Sequence, residues 1–452
     1  MENIVSQQRD FFKSDKTKDC NFRIQQLKAL KKVLKSNESL LTEAIYKDFK
    51  KSEFDCYTTE LALLYSDINE ACKKLKSWSK IKRVSTNLIN FPAKSRIIPE
   101  PYGVSLIIGA WNYPYQLSFA PAIAAIAAGN TVILKPSEIP VNSSKAIKKI
   151  VNDNFKSNFF HVIEGGVQTT QQLLGLNFDK IFFTGSPKVG KIIYQAAAQH
   201  LTPVTLELGG KSPAIVCENS NIEVSAKRIV WGKFLNAGQT CIAPDYLLVH
   251  KNIKDKLISA IISEIERCNY SFANKNYVQI INEANMHRLV ALLDKNKIIY
   301  GGDYDIYERY FAPTLMSDIT FDDKVMQDEI FGPILPIIEF EKIEEISTKL
   351  KNLPKPLASY LFTGNKKQAH RLFNELSFGG GAVNDTIMHI TNSKLPFGGV
   401  GNSGIGSYHG KSGFNEFTHY KSILKKSTCF EPNLKYSPYN EKKLKLARRI
   451  MG

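Results

Sequence analysis

Paired cysteines are missing from this chain. Its seven cysteines, Cys20, Cys56, Cys72, Cys217, Cys241, Cys268 and Cys429, are an odd number scattered over 452 residues. With no CxxC pair or histidine cluster beside them, neither a disulfide framework nor a bound metal is expected. Long hydrophobic runs are also missing. The most apolar stretch, Phe119 to Ala128, contains Pro121 and stops at Gly129-Asn130, well short of the ~20 residues that an integral membrane segment needs. The start, Met1-Glu2-Asn3, is polar and has no apolar core of a secretory signal. Together these absences point to a reducing, cytoplasmic setting.

Hydrophobic residues make up 43% of the chain and charged residues 23%, which excludes wholesale disorder and collagen-like or coiled-coil architectures. The formal charge of +17 would admit nucleic acid or anionic lipid as partners. The lysines and arginines are scattered, however, with no arginine-rich, aromatic-interleaved patch, so a solvated basic surface is expected and no nucleic acid.

About 75 residues at the start read as helices, with Ile24, Leu27, Leu30, Val33 and Leu34 recurring at three and four. From Gly103 onward the pattern changes. Apolar strands at 103–110, 131–134, 180–183 and 204–206 alternate with helical patterns at 117–128, 145–152 and 188–199. A second run has strands at 214–216, 246–249, 334–340 and 358–362, with helices at 222–236, 254–267, 342–350 and 367–376. This alternation predicts an α/β protein with two doubly wound, Rossmann-like lobes, which bind ligands at the carboxyl ends of their strands.

Two glycine-rich elements compete for a phosphate group. Gly399-Val400-Gly401-Asn402-Ser403-Gly404 spells GxGxxG, yet it follows a proline-containing loop, and residues 407–413 beyond it are too rich in glycine to open a helix. Thr184-Gly185-Ser186-Pro187-Lys188-Val189-Gly190 lies between a strand and a helix, where free N–H groups and the helix dipole favour a pyrophosphate; a plain strand-to-helix turn is the competing reading. Cys241, in Asn236-Ala237-Gly238-Gln239-Thr240-Cys241, is either an exposed nucleophile or a buried small hydrophobe. Glu207 interrupts an apolar strand end and is either paired structurally or tuned for proton transfer.

Trp111-Asn112-Tyr113-Pro114, Leu134-Lys135-Pro136-Ser137-Glu138, Phe183-Thr184-Gly185-Ser186, Leu206-Glu207-Leu208-Gly209-Gly210-Lys211, Gly238-Gln239-Thr240-Cys241, Glu329-Ile330-Phe331-Gly332-Pro333 and Pro396-Phe397-Gly398-Gly399 together resemble the aldehyde dehydrogenase superfamily. The likeness runs from about residue 20 to 425. Residues 238–246 and 395–410, with the short region before Asn112, are most similar to its class 3 branch, which includes fatty aldehyde dehydrogenases. Membrane-bound members end in a hydrophobic anchor; this chain ends in the basic run 441–452, for which weak peripheral membrane contact is the most that is expected.

The resemblance implies NAD- or NADP-dependent oxidation of an aldehyde to the acid, with medium- or long-chain aliphatic or aromatic aldehydes as the substrate class. It makes Cys241 the nucleophile, Asn112 the oxyanion donor and Glu207 the base for thioester hydrolysis. Lys135 and Glu138 would contact the adenine ribose and Glu329 the nicotinamide ribose. Phe331 would lie near the nicotinamide, Trp111 is a further cofactor-binding position, and Gly185, Ser186, Val189 and Gly190 would lie near the pyrophosphate. The residues do not choose between NAD and NADP. The implied organisation is a cofactor-binding domain at 1–83 and 102–207, a catalytic domain at 208–415, an oligomerisation element at 84–101 and 416–425, and a basic tail at 426–452, in a homodimer.

Overall fold

A computed structural model describes residues 1–451. The leading helices pack through the face read from the sequence: Leu27, Leu30, Val33 and Leu34 of the Cys20–Ser36 helix are buried, and Asp19 caps that helix by accepting from the N–H groups of Asn21 and Phe22. They cover the Gln116–Ala128 helix, which is buried on nearly every side. Its end is marked by Gly129 at φ 102°, a left-handed position that glycine takes without strain.

Six strands form the first sheet, in the order Gly404–Ile405, Val204–Glu207, Lys180–Thr184, Val104–Ile108, Thr131–Lys135 and Phe160–Val162. Five run parallel, and Gly404–Ile405 joins antiparallel at the edge. The second sheet holds Ile298–Tyr300, Thr314–Met316, Ile334–Phe340, Tyr246–His250, Pro213–Val216, Ala358–Phe362 and Gly380–Val383. It is parallel except at Ile298–Tyr300. In the first sheet the chain winds outward both ways from Val104–Ile108. In the second it steps from Pro213–Val216 to Tyr246–His250, crosses to the far edge at Ile298–Tyr300, returns inward through Thr314–Met316 and Ile334–Phe340, and finishes on the other side at Ala358–Phe362 and Gly380–Val383. Both lobes thus keep the parallel α/β arrangement expected. A third sheet pairs Lys82–Val84, Ala93–Pro101 and Thr418–Lys426, all antiparallel.

Several expectations are corrected here. The helix expected over 222–236 ends at Phe234, because Asn236 and Ala237 adopt positive φ. The glycine-rich segment near 410 does form a helix, Gly410–Glu416, packed so closely that a Cβ on Gly413 would lie 3.1 Å from the Ala124 methyl; the glycine permits an approach that local propensity does not foresee. Glu416 ends that helix, and the following strand opens at Thr418. The Glu416 carboxylate instead accepts from Lys180 Nζ at 2.8 Å and Thr205 Oγ1 at 2.6 Å. Short strands such as Phe160–Val162 and Gly380–Val383 carry too few residues to show a periodicity. Among the described residues no helix is long and apolar enough to cross a membrane.

Candidate active site

Glu207 is the last residue of its strand, in register with Thr184 on the neighbouring strand, so both side chains stand at the carboxyl edge of the first sheet. Glu207 is buried, and neither of its carboxylate oxygens has a hydrogen-bond partner; Thr184 Oγ1 has none either. Burial holds the Glu207 carboxyl well above the usual carboxylate range, and the nearby Glu416 adds to the effect.

Opposite this edge, the Cys241 loop is built by strain. Asn236, Ala237 and Gly238 take φ of 55°, 51° and 72° in succession, a run that costs energy at the two non-glycine positions and must be held by surrounding contacts. The contacts are present. Gln239 donates to the carbonyls of Asn236 and Gln279 and accepts from the N–H of Ile281. A Cβ on Gly238 would meet the Gly332 carbonyl oxygen at 2.3 Å, so only glycine lets this loop lie against the 329–333 motif. Cys241 is partly buried. Desolvation pushes its thiol up, Glu329 and Glu207 push it further, and the N–H groups of Cys241 and Ile242 pull the other way. The resting sulfur is therefore a thiol beside two carboxyl groups rather than a free thiolate.

The side-chain amide of Asn112 reaches the same loop, donating to the Gln239 carbonyl at 3.0 Å while its own backbone carbonyl accepts from Asn236 Nδ2 at 3.1 Å. One N–H of the amide remains for another acceptor. Trp111, one residue earlier, meets Phe331 edge to face at 5.3 Å, and Phe331 holds φ 47°. Glu329 lies against Gly209, where a Cβ would come within 2.1 Å of its carboxylate. Burial, then Asp245, push its carboxyl up to about 8, against the pull of the Gly210 N–H, Lys211 and Arg288. Asp245 accepts from Lys211 Nζ at 2.5 Å and from the N–H of Ile330 at 2.9 Å, while Lys211 also donates to the carbonyls of Val325 and Asp328. These bonds anchor the segment that carries Glu329.

The residues expected to hold a dinucleotide fit one. Lys135 ends its strand, and its Nζ donates to Glu138 Oε2 at 3.0 Å and to the Pro136 carbonyl at 3.1 Å. Ser186 caps the Pro187–Ala198 helix, accepting from the N–H of Val189, with Pro187 in the first turn and no acidic side chain there. That is the strand, turn and helix N-terminus an anion needs. Gly185 is the turn, its N–H bonded to the Glu207 carbonyl. Gly190 faces inward, where a Cβ would strike Leu208 Cδ2 at 2.8 Å, so its lack of a side chain lets the helix pack closely on the sheet. The GxGxxG at 399–404 is a loop folded against the first sheet, with Gly404 paired to Glu207.

Sequence reasoning missed several neighbours. Gly165-Gly166 follows the Phe160–Val162 strand and precedes the Val167–Leu174 helix, and a Cβ on Gly166 would lie 4.0 Å from Glu138 Oε1. The glycine pair after an apolar run was the available signal. Lys233, with its Nζ buried and unpartnered and burial lowering it to about 8, reads in sequence as one more helix lysine.

The sequence matches the aldehyde dehydrogenase family over residues 1–423. It is 50% identical to the 4,4'-diaponeurosporen-aldehyde dehydrogenase of Staphylococcus aureus (strain NCTC 8325 / PS 47), over 97% of this chain and 98% of that one. It is 42% identical to aldehyde dehydrogenase family 3 member A2 of Macaca fascicularis, over 98% of this chain and 92% of that one. A substrate-bound structure of Staphylococcus aureus AldH superposes with a TM-score of 0.97 at 48% identity, over 100% and 99% of the two chains. A Mycobacterium tuberculosis aldehyde dehydrogenase complexed with NAD+ gives 0.84 at 25% identity, over 93% and 88%.

Proposed function

This chain belongs to the aldehyde dehydrogenase family, an NAD(P)-dependent enzyme family, and we propose that it oxidises medium- or long-chain aliphatic or aromatic aldehydes to carboxylic acids through acyl chemistry on Cys241. The observation that carries this reading is a buried Glu207 with two unpartnered oxygens beside a cysteine whose thiol both Glu207 and Glu329 influence.

Glu207 in its ionised form takes the proton of the Cys241 thiol as the sulfur bonds to the aldehyde carbon, and gives that proton up to solvent before hydrolysis. The carbonyl oxygen takes the electron pair, and the free N–H of the Asn112 amide and the backbone N–H of Cys241 stabilise it. The chemistry that NAD(P) supplies when bound is acceptance of a hydride. The acyl group then rests on Cys241 as a thioester. Glu207 removes a proton from water, the hydroxide adds to the thioester carbon, and the carboxylic acid leaves as the sulfur recovers its electron pair and takes from Glu207 the proton drawn from water.

Lys135 and Glu138 would hold the adenine ribose, Gly185, Ser186 and Val189 the pyrophosphate and Glu329 the nicotinamide ribose, with Phe331 near the nicotinamide and Trp111 beside it. The Lys135–Glu138 ion pair offers a carboxylate to ribose hydroxyls, which supports NAD, and a lysine beside it, which supports NADP. The name of the Staphylococcus aureus relative supports a substrate larger than acetaldehyde, and each buried methylene adds about 0.8 kcal/mol to binding. Comparing kcat/KM for acetaldehyde, hexanal, decanal and benzaldehyde with each cofactor tests this, and a maximum at acetaldehyde overturns it. Release of free acid whether or not coenzyme A is added is expected; a coenzyme A thioester would reassign Glu207.

The exposed edge of Thr418–Lys426, with Ile423 and Leu424 at the surface, supports a homodimer built on the third sheet. In the Glu441–Met451 helix nothing is buried, with Leu446 and Ile450 on one side and Lys445 and Arg449 on the other. It supports weak, salt-sensitive attraction to an anionic membrane and a cytoplasmic protein otherwise.

A further inference from the structure

Lys51 and Glu60 enter no step above, yet their side chains are 1% and 0% exposed and bonded to each other at 2.8 Å. Two charges withdrawn from water are costly unless their geometry is used in full. Here it is. Glu60 sits on the π-helical stretch Tyr57–Leu61, the kind of local widening that recurs at functional sites. Its Oε1 accepts from Lys51 Nζ, and its Oε2 accepts from the N–H of Tyr115 at 2.7 Å and of Gln116 at 3.2 Å. Those N–H groups begin the Gln116–Ala128 helix, which has no side-chain cap of its own and no acid in its first turn. A carboxylate from a distant helix thus caps it at its positive end.

The same pair reaches the other side of this corner. Lys51 Nζ lies 4.0 Å from the centre of the Tyr113 ring, within cation–π range. The Tyr113 hydroxyl bonds Thr240 Oγ1 at 2.7 Å, one residue before Cys241. Asn112 is therefore followed at once by two fixed points, a tyrosine seated on Lys51 and a helix start clamped by Glu60, while its own amide is bonded to the Cys241 loop. We propose that Lys51 and Glu60 are positioning residues that set the Asn112 amide against the Cys241 carbon-bonding site. The proposal rests on Asn112 being the oxyanion donor. A misplacement of ~1 Å at such a site can cost about 10²-fold in rate.

The test is a cycle on the full-length enzyme with NAD(P) and decanal: Asn112→Ala, Glu60→Gln and the two combined. Glu60→Gln is expected to lower kcat by about 10–100-fold, with cofactor affinity, read by nucleotide fluorescence, changed less than about twofold. In the Asn112→Ala background the same substitution is expected to cost no more than about threefold, because the group it positions is gone. Equal losses in both backgrounds would make the pair merely structural and overturn the proposal, as would an unchanged kcat in Glu60→Gln. An Asn112→Ala enzyme with normal kcat would overturn the oxyanion assignment instead. Should Glu60→Gln fail to fold, Lys51→Met/Glu60→Gln, which removes both charges, carries the same cycle, and failure of that variant as well would leave the pair a stabilising role only.

Discussion

Glu60 and Glu207 are both shut away from water, one among helices and the other at the end of a parallel strand, and their surroundings are opposite. Glu60 has a donor for each oxygen and a third to spare: Lys51 Nζ, Tyr115 N–H and Gln116 N–H. Glu207 has none for either. A buried carboxylate with all its partners holds neighbouring backbone in place. One without partners is pushed toward its neutral form and left able to take up or give a proton. The two surroundings lie apart, the fully partnered carboxylate in the helical layer and the unpartnered one at the strand ends.

The largest effect should come from removing the reacting sulfur. Cys241→Ala is expected to lower aldehyde turnover by about 10⁴-fold or more while leaving the Glu60 side untouched, so its thermal unfolding should match the parent; a residual rate within about tenfold would remove the covalent mechanism.

Glu207→Gln should slow turnover by about 10²-fold or more without abolishing the first burst of reduced cofactor, since a thiol gives up its proton more readily than the water of the later hydrolysis. Stopped-flow absorbance separates the phases, and equal losses in both would take Glu207 out of hydrolysis. Its stability should move the other way. The folded carboxyl binds its proton more tightly than the ordinary value of 4.5, so its contribution to stability is full below that value and is lost as pH rises toward the raised one. The variant should therefore gain on the parent in melting temperature from about pH 5 upward.

Glu60→Gln should do the reverse. It leaves Lys51 buried without its counter-charge, a loss of about 3–5 kcal/mol, visible as a lower denaturant midpoint. A variant as stable as the parent would mean that the two carboxylates are not as different as their partners imply.

Glu329 falls between the two, and its prediction is smaller. With its carboxyl at about 8, cofactor affinity should rise as pH passes through that value and the acceptor for ribose hydroxyls ionises. Stability should fall over the window from 4.5 to about 8, because the folded chain holds the extra proton there. Glu329→Gln should flatten both profiles; a cofactor affinity that stays pH-dependent in this variant assigns the titration elsewhere. The smallest effect concerns the tail, where nothing is buried at all. Full-length protein should sediment slightly with anionic vesicles at low salt and not at about 0.5 M, and protein ending before residue 430 should not sediment with them.

The amino-acid sequence by itself determined the alternation of strands and helices and the strand-turn-helix at Ser186, because periodicity, capping and turn chemistry act over a few residues; it left Cys241 and Glu207 as open alternatives and pointed to Asn112 only through the family resemblance. Only the tertiary structure decided that Glu60 caps a helix 55 positions away, that Gly190 packs on Leu208 rather than facing outward, and that Gly238 lets the cysteine loop touch Gly332. It also decided that Glu207 would be stranded without partners and Glu60 surrounded by them. In sequence each is a lone acid; desolvation and pairing depend on which distant groups fold against it, and no local pattern records that.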